Sequence, residues 1–288
     1  MGYCDDTALI ASLLIQMKEL VKKCEEYSKK WLMNYNTNKS VILNCGYQMY
    51  KDEDIDIRMN DKRIPVIEAS KYLGVMLNKK NEDDTQVLDK FKKVQSAFFG
   101  LSAFGIKPPG VKPSIKAFLY NTYGKPIGTY GFGVMNVKKK TIQQLNIMQN
   151  NMIRYTLGIP QRSHTSKLMR ALGIIDNYTT YLMDKCTTIK LLHRTDLTKE
   201  LLMKNITDRN ETWWFYGEIK EICVRLDIEP EEVCLYPDRT RKKLQENYFC
   251  ELNEGERENI EEIRGILDDY NYRNKKKLVE LTKIDWES

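Results

Sequence analysis

The stretch Tyr3-Cys4-Asp5-Asp6-Thr7-Ala8-Leu9-Ile10-Ala11 sets two adjacent carboxylates between an aromatic residue and a short apolar run. Acidic turn formers ahead of a partly β-branched segment read as the turn and second strand of a β-hairpin. Only Met1 and Gly2 precede Tyr3, so the first strand is expected to be missing. Residues 7 to 11 would then carry unpaired backbone groups beside apolar side chains.

Working outward, Leu14, Met17, Leu20, Val21, Cys24, Tyr27 and Trp31 fall at helical spacing, which predicts an amphipathic helix over residues 13 to 34. The polar run from Asn34 to Lys39 reads as a turn, and residues 40 to 45 as a strand. Ile55 and Ile57 alternate with Asp54, Asp56 and Arg58, the pattern of a half-exposed strand. Asn60-Asp61 is a turn signal before residues 64 to 67, and residues 72 to 77 form one more strand. Beyond Asp83 the period becomes helical. Val87, Phe91, Val94, Phe98 and Leu101 share one face, Pro113 opens a helix through Tyr123, and Ile142, Leu145, Met148, Met152 and Ile153 mark another. Residues 124 to 133 hold four glycines and Pro126, and read as a loop that brings backbone close to a partner. Helices continue over residues 178 to 192, 213 to 226 and 260 to 270.

The expected class is therefore α+β: a small α/β part over residues 1–80, a basic helical region over 81–175 and a helical C-terminal region over 176–288. No segment has the ~20 apolar residues of a membrane span, and the first residues lack the order of a signal peptide. Cytoplasm or nucleus is the expected location, with no membrane partner. Seven scattered cysteines without a C-x-x-C pair, and two histidines, exclude the usual zinc spacings.

Charge is unevenly distributed. The formal net charge is +6, but Phe91 to Ile175 contains thirteen Lys or Arg and no Asp or Glu, whereas residues 221–270 hold fifteen acids against seven bases. Cations without competing anions suit phosphate neutralisation, so the basic middle points to nucleic acid.

The order of these pieces resembles the later palm motifs of non-LTR retrotransposon reverse transcriptases. The pieces are Tyr-x-Asp-Asp at residues 3–6, an amphipathic helix, Asn36-Thr37-Asn38-Lys39-Ser40 leading into a strand, and Tyr72-Leu73-Gly74-Val75. Residues 119–131 and 149–169, with Leu157-Gly158-Ile159-Pro160 inside, resemble the family's segments beyond the palm, so the match covers roughly residues 1 to 190. The resemblance implies a fold of palm end, thumb and C-terminal region, and an RNA-directed DNA polymerase whose partner is an RNA/DNA primer-template. It assigns Asp5 as main ligand and Asp6 as auxiliary ligand of Mg²⁺ in the full-length context, Lys39 to the incoming triphosphate, and Tyr72 and Gly74 to the primer end. Fingers and the strand bearing the first catalytic Asp would precede Met1, so the chain alone is expected to be inactive while retaining nucleic-acid contact.

Two metal ions about 4 Å apart must be shared between primer hydroxyl and triphosphate, and Mg²⁺ takes one or two carboxylates plus phosphate oxygens. Neighbouring strand residues point to opposite faces, so Asp5 and Asp6 serve one ion only if the turn re-aims one of them. Phosphate contacts are expected from Lys107, Lys112, Lys116, Lys125, Lys138, Lys139, Lys140, Arg154 and Arg162. Tyr120, Tyr123, Tyr130 and Phe132 are candidates for stacking on bases. The alternative is a helical interaction or structural protein whose basic middle binds an acidic partner or its own acidic end.

Overall fold

A computed structural model describes residues 2–3, 6–45, 50–80, 82–100, 111–250, 254–269 and 272–282. The chain divides into two compact units, Met1–Asn81 and Glu82–Ser288. It is mostly helical, and its described sheets are four two-stranded pairs, all in the first unit, which makes the class α+β.

In the first unit, β1 (Gly2–Tyr3) pairs antiparallel with β2 (Asp6–Thr7), Gly2 opposite Thr7 and Tyr3 opposite Asp6. The expectation of a missing first strand is corrected here, since two residues before the turn suffice for a miniature hairpin. Helix α1 (Leu14–Trp31) ends at Leu32, whose φ of 53° lets Met33 N–H bond back to Ser28 O at 3.0 Å. Its apolar stripe of Leu14, Met17, Val21 and Cys24 closes on Ile55, Ile57, Met59 and Ile64. After β3 (Ile42–Leu43) the chain makes a 3₁₀ turn over Asp52–Asp54. Ile55 and Ile57 are buried as their alternation implies, yet they lie in no strand. Asp52 accepts from Lys79 Nζ at 2.6 Å and from Asn44 Nδ2 at 2.9 Å.

β4 (Arg58–Met59) and β5 (Lys62–Arg63) form a hairpin through Asn60 and Asp61, with φ of 51° and 62°, the pair of left-handed residues that a type I′ turn requires. β6 (Val66–Ile67) lies parallel to β3. The single strand expected over 72–77 is instead a hairpin of β7 (Ala69–Tyr72) and β8 (Val75–Asn78), turning at Leu73 and Gly74 with φ of 47° and 82°. A two-residue connection of this hand suits the strand twist, and Gly74 takes its place in it without steric penalty.

The second unit begins with α2 (Asp84–Gly100), which buries Val87, Phe91, Val94 and Phe98. Pro113 opens α3 (Pro113–Leu119), which runs through a π turn (Tyr120–Gly124) into α4 (Lys125–Thr129). The loop expected over 124–133 is thus helical as far as Thr129, and its glycines have a packing reason. A Cβ on Gly128 would lie 2.8 Å from Phe91 Cε2, and one on Gly133 would collide with the Thr188 side chain and lie 2.8 Å from Asp184 O.

α5 (Lys139–Leu157) stops in a Schellman motif: Ile159 N–H bonds Arg154 O and Gly158 N–H bonds Tyr155 O, both at 3.1 Å, with Gly158 at φ 64° and Pro160 shortly after. α6 (Ser166–Ala171) leads to α7 (Asn177–Leu192), capped by Asp176, whose Oδ1 accepts from Thr179 N–H at 2.6 Å. Then come α8 (Asp196–Thr207), α9 (Trp214–Leu226), α10 (Pro230–Leu235), α11 (Pro237–Cys250), α12 (Glu254–Asp268) and α13 (Tyr272–Leu281). Phe98, Tyr120, Met152, Leu157 and Leu168 share one core with Ile263, Leu267 and Leu278, so the basic middle and the C-terminal helices fold together. No described helix is long and apolar enough to cross a membrane.

A small, partly open pocket of about 20 Å³ is lined by core residues, among them Phe98, Lys116, Tyr120, Met152 and Leu157. The Tyr120 hydroxyl is buried without a hydrogen-bond partner among the described residues, and burial raises its pKa.

Candidate nucleic-acid interface

Within the first unit, Asp6 is exposed at the start of β2, opposite Tyr3. Asp5 lies outside the described residues. Among the described residues no group of three or more His, Cys, Asp or Glu side chains converges to hold a metal. Asp6 alone does not fit Mg²⁺, which needs an octahedron of oxygens. Lys39 is exposed in a turn organised by Asn36: Lys39 N–H and Ser40 N–H both donate to Asn36 O at 3.0 Å, and Asn38 N–H donates to Asn36 Oδ1 at 3.1 Å. Tyr72 is half-buried next to the β7–β8 turn, while Leu73 and Gly74 at its tip are exposed.

In the second unit the fold sorts the basic residues into two sets. Lys112, Lys138, Lys139, Lys140 and Arg162 are exposed. Lys116, by contrast, is fully enclosed, and its Nζ donates to Thr156 O at 2.9 Å; burial lowers its pKa. The Lys125 ammonium donates to Ile175 O at 2.8 Å, and burial brings its pKa down to about 8. Arg154 ties the end of α5 to the loop after it, Nε donating to Ser163 O at 2.9 Å and Nη1 to Asn151 Oδ1 at 3.0 Å. Lys116 therefore has no solvent-facing ammonium to offer a phosphate, and Lys125 and Arg154 already hold backbone carbonyls. Lys107 lies outside the described residues.

Acids from outside the acid-free segment reach the exposed set. Lys138 Nζ lies 3.4 Å from Asp84 Oδ2, and Lys139 pairs with Glu221, which also accepts from the Tyr178 hydroxyl at 2.6 Å. Both lysines stay largely in solvent, where such pairs contribute about 0–1 kcal/mol and yield readily to a competing phosphate.

The aromatic candidates divide likewise. Tyr120 and Phe132 are buried in the core, whereas Tyr123 and Tyr130 are exposed. Phe118, one turn before Tyr123 on the same helix face, is exposed as well. Sequence reasoning passed it over, although its spacing from Ile115 was the available signal.

A group of strongly perturbed ionisable side chains surrounds Lys185 on α7, within electrostatic reach of the Lys139–Glu221 pair. Its side chain is fully buried, Nζ donating to Met135 O at 2.5 Å and lying 4.3 Å and 4.5 Å from the Tyr181 and Trp214 ring centroids. Burial pulls its pKa down to about 7, with the Glu218, Asp83 and Asp184 carboxylates opposing the shift. The Tyr181 hydroxyl lies 3.0 Å from Glu218 Oε1 and accepts from Val137 N–H at 3.3 Å. Burial also raises Asp184 to about 6 and shifts Glu218 upward. Perturbed groups often mark functional sites, but here the ammonium has no face open to a ligand and fastens the segment around Met135 to α7 and α9.

Exposed cations, solvent-facing aromatics and an exposed hairpin tip are the features a polyanion can use, and they are tied together only by their chemistry. Compared with protein-family models, with curated proteins and with solved structures, the chain matches none.

Proposed function

We propose that the chain is the later part of an RNA-directed DNA polymerase of the non-LTR retrotransposon type. In this reading it carries the end of the palm, a thumb-like helical region and further C-terminal helices, and it contacts a primer-template without polymerising on its own. The observation that carries the reading is the pairing of Tyr3 with Asp6 across a two-residue connection, succeeded by α1 and, later, by a tight hairpin at Tyr72–Val75. Mg²⁺ would join Asp5 and Asp6 only in the full-length context, with the third carboxylate and the phosphates of the substrate.

Nucleic-acid contact rests on the five exposed cations Lys112, Lys138, Lys139, Lys140 and Arg162. If all five meet phosphates, log K falls against log salt with a slope of about −3.5 for single strands and about −4.5 for duplex. Changing Lys138, Lys139 and Lys140 together to Gln flattens that slope and weakens all sequences alike. A titration that detects no binding of a labelled primer-template at low ionic strength removes the reading. The Lys139–Glu221 pair favours one rival, in which the basic middle serves acidic partners or the chain's own acids. Glu221→Gln separates the two: it frees Lys139 and strengthens primer-template binding under the first reading, and leaves it absent under the second.

A further inference from the structure

The rod formed by α3, the π turn and α4 has one face in the core and the other in solvent. The inner face carries Lys116, Ala117, Tyr120, Gly124 and Gly128, and all five are buried. Along the outer face run Ile115, Phe118, Tyr123, Ile127 and, just past the helix, Tyr130; Phe118, Tyr123 and Tyr130 expose 63%, 61% and 54% of their surface. The π turn keeps these residues in line. Lys125 N–H bonds Tyr120 O, five residues back, so the rod gains an extra residue in that turn and the side chains beyond it are rotated back onto the outer face.

At ~1.5 Å per residue the rod is roughly 25 Å long. Cations flank it: Lys112 is exposed immediately before Pro113, and Lys90 Nζ lies 5.4 Å from the Tyr130 ring centroid and donates to its carbonyl at 2.8 Å.

We infer that this face is a stacking platform for single-stranded nucleic acid, with bases laid on Phe118, Tyr123 and Tyr130 and the backbone phosphates drawn to the exposed Lys112 at its start. The inference rests on the nucleic-acid reading proposed for the chain and names the form of the ligand. Flat aromatic faces bind any unstacked base, and stacking is indifferent to sequence. Duplex bases are already stacked on one another and offer only their edges, so the platform selects single strands.

The test compares three fluorescein-labelled ligands by anisotropy with the full chain: an oligothymidylate, an abasic oligomer of the same length and a blunt duplex. The oligothymidylate should bind at least about tenfold more tightly than the abasic oligomer, the difference expected of even one stacked base. In the Phe118→Ala/Tyr123→Ala double variant that ratio should fall towards one, with abasic affinity and salt slope unchanged. Equal binding of thymidylate and abasic oligomers by the unaltered chain, or duplex binding as tight as single-strand binding, overturns the platform while leaving phosphate contact standing. No binding of any ligand removes the nucleic-acid reading itself. A double variant that turns a dimer into a monomer by sedimentation, with the thymidylate-to-abasic ratio unchanged, reassigns the face to a second copy and also overturns the inference.

Discussion

Tyr120 shows how far a side chain's neighbours outweigh its type. Its ring meets Phe98 edge-on, 5.8 Å between centroids, and its hydroxyl lies buried without a described partner. A buried polar group left unsatisfied costs about 1–3 kcal/mol, and a Phe in its place keeps the ring while removing the desolvated hydroxyl. Tyr120→Phe should therefore raise the urea midpoint of the second unit, by the equivalent of about 1 kcal/mol. A fall of similar size would mean that an ordered water satisfies the hydroxyl. The same contrast separates Lys112 from Lys116. The two stand four residues apart on either side of a helix start, one exposed and one enclosed. Composition treats them alike, and only the direction of the core tells them apart.

Among the elements, the long helices were plain in the sequence because their apolar spacing is strong: α2, α5, α7 and α9 fall where periodicity places them. Asn60-Asp61 was equally legible, since those residue types suit a left-handed turn. What escaped was everything decided by packing. Gly124 and Gly128 read as chain breakers in isolation, yet Gly128 stands where the rod comes too close to Phe91 for a side chain, and a Cβ on Gly124 would lie 3.1 Å from the Tyr120 ring. Leu73, an unfavoured residue at positive φ, hid the fold-back of segment 72–77 from the residue pattern, and only the resemblance of Tyr72–Val75 to a primer-gripping hairpin pointed to it. α11 and α13 were overlooked because charged residues dominate them and their apolar stripes are thin. Gly128→Ala tests the packing account. The added methyl must displace the Phe91 ring, and overpacking of this kind typically costs about 1–3 kcal/mol. A thermal-melt comparison should show the variant less stable, and an unchanged melting temperature would mean that Phe91 moves aside freely.

Across the second unit as a whole, buried titratable groups give stability an unusual dependence on pH. Asp184, held near 6 in the fold against an ordinary carboxylate value near 4, contributes stability that is lost as pH rises through that interval. Lys185 and Lys125, held near 7 and 8 against an ordinary 10.5, work in the other direction: the unfolded chain binds the extra protons, so stability climbs as pH rises from about 7 towards 10. Cys186 and Cys234, pushed up to about 12 by burial, oppose that climb once free thiols would ionise, above about 9. The urea midpoint should thus be lowest between about pH 6 and 7 and higher at about pH 9, and Lys185→Met should flatten the rise; a midpoint that falls steadily across that range would contradict the assignment. The enclosure of these amines has a consequence for chemical labelling. Lys116 and Lys185 are shut away from solvent with their ammonium groups held by carbonyl oxygens. An acylating reagent can reach them only when the unit opens, whereas Lys112 and Lys140 react at once. Mapped residue by residue, the slow acylation of those two lysines is a clock for the opening of the second unit, running beside the fast labelling of the surface that nucleic acid is proposed to cover.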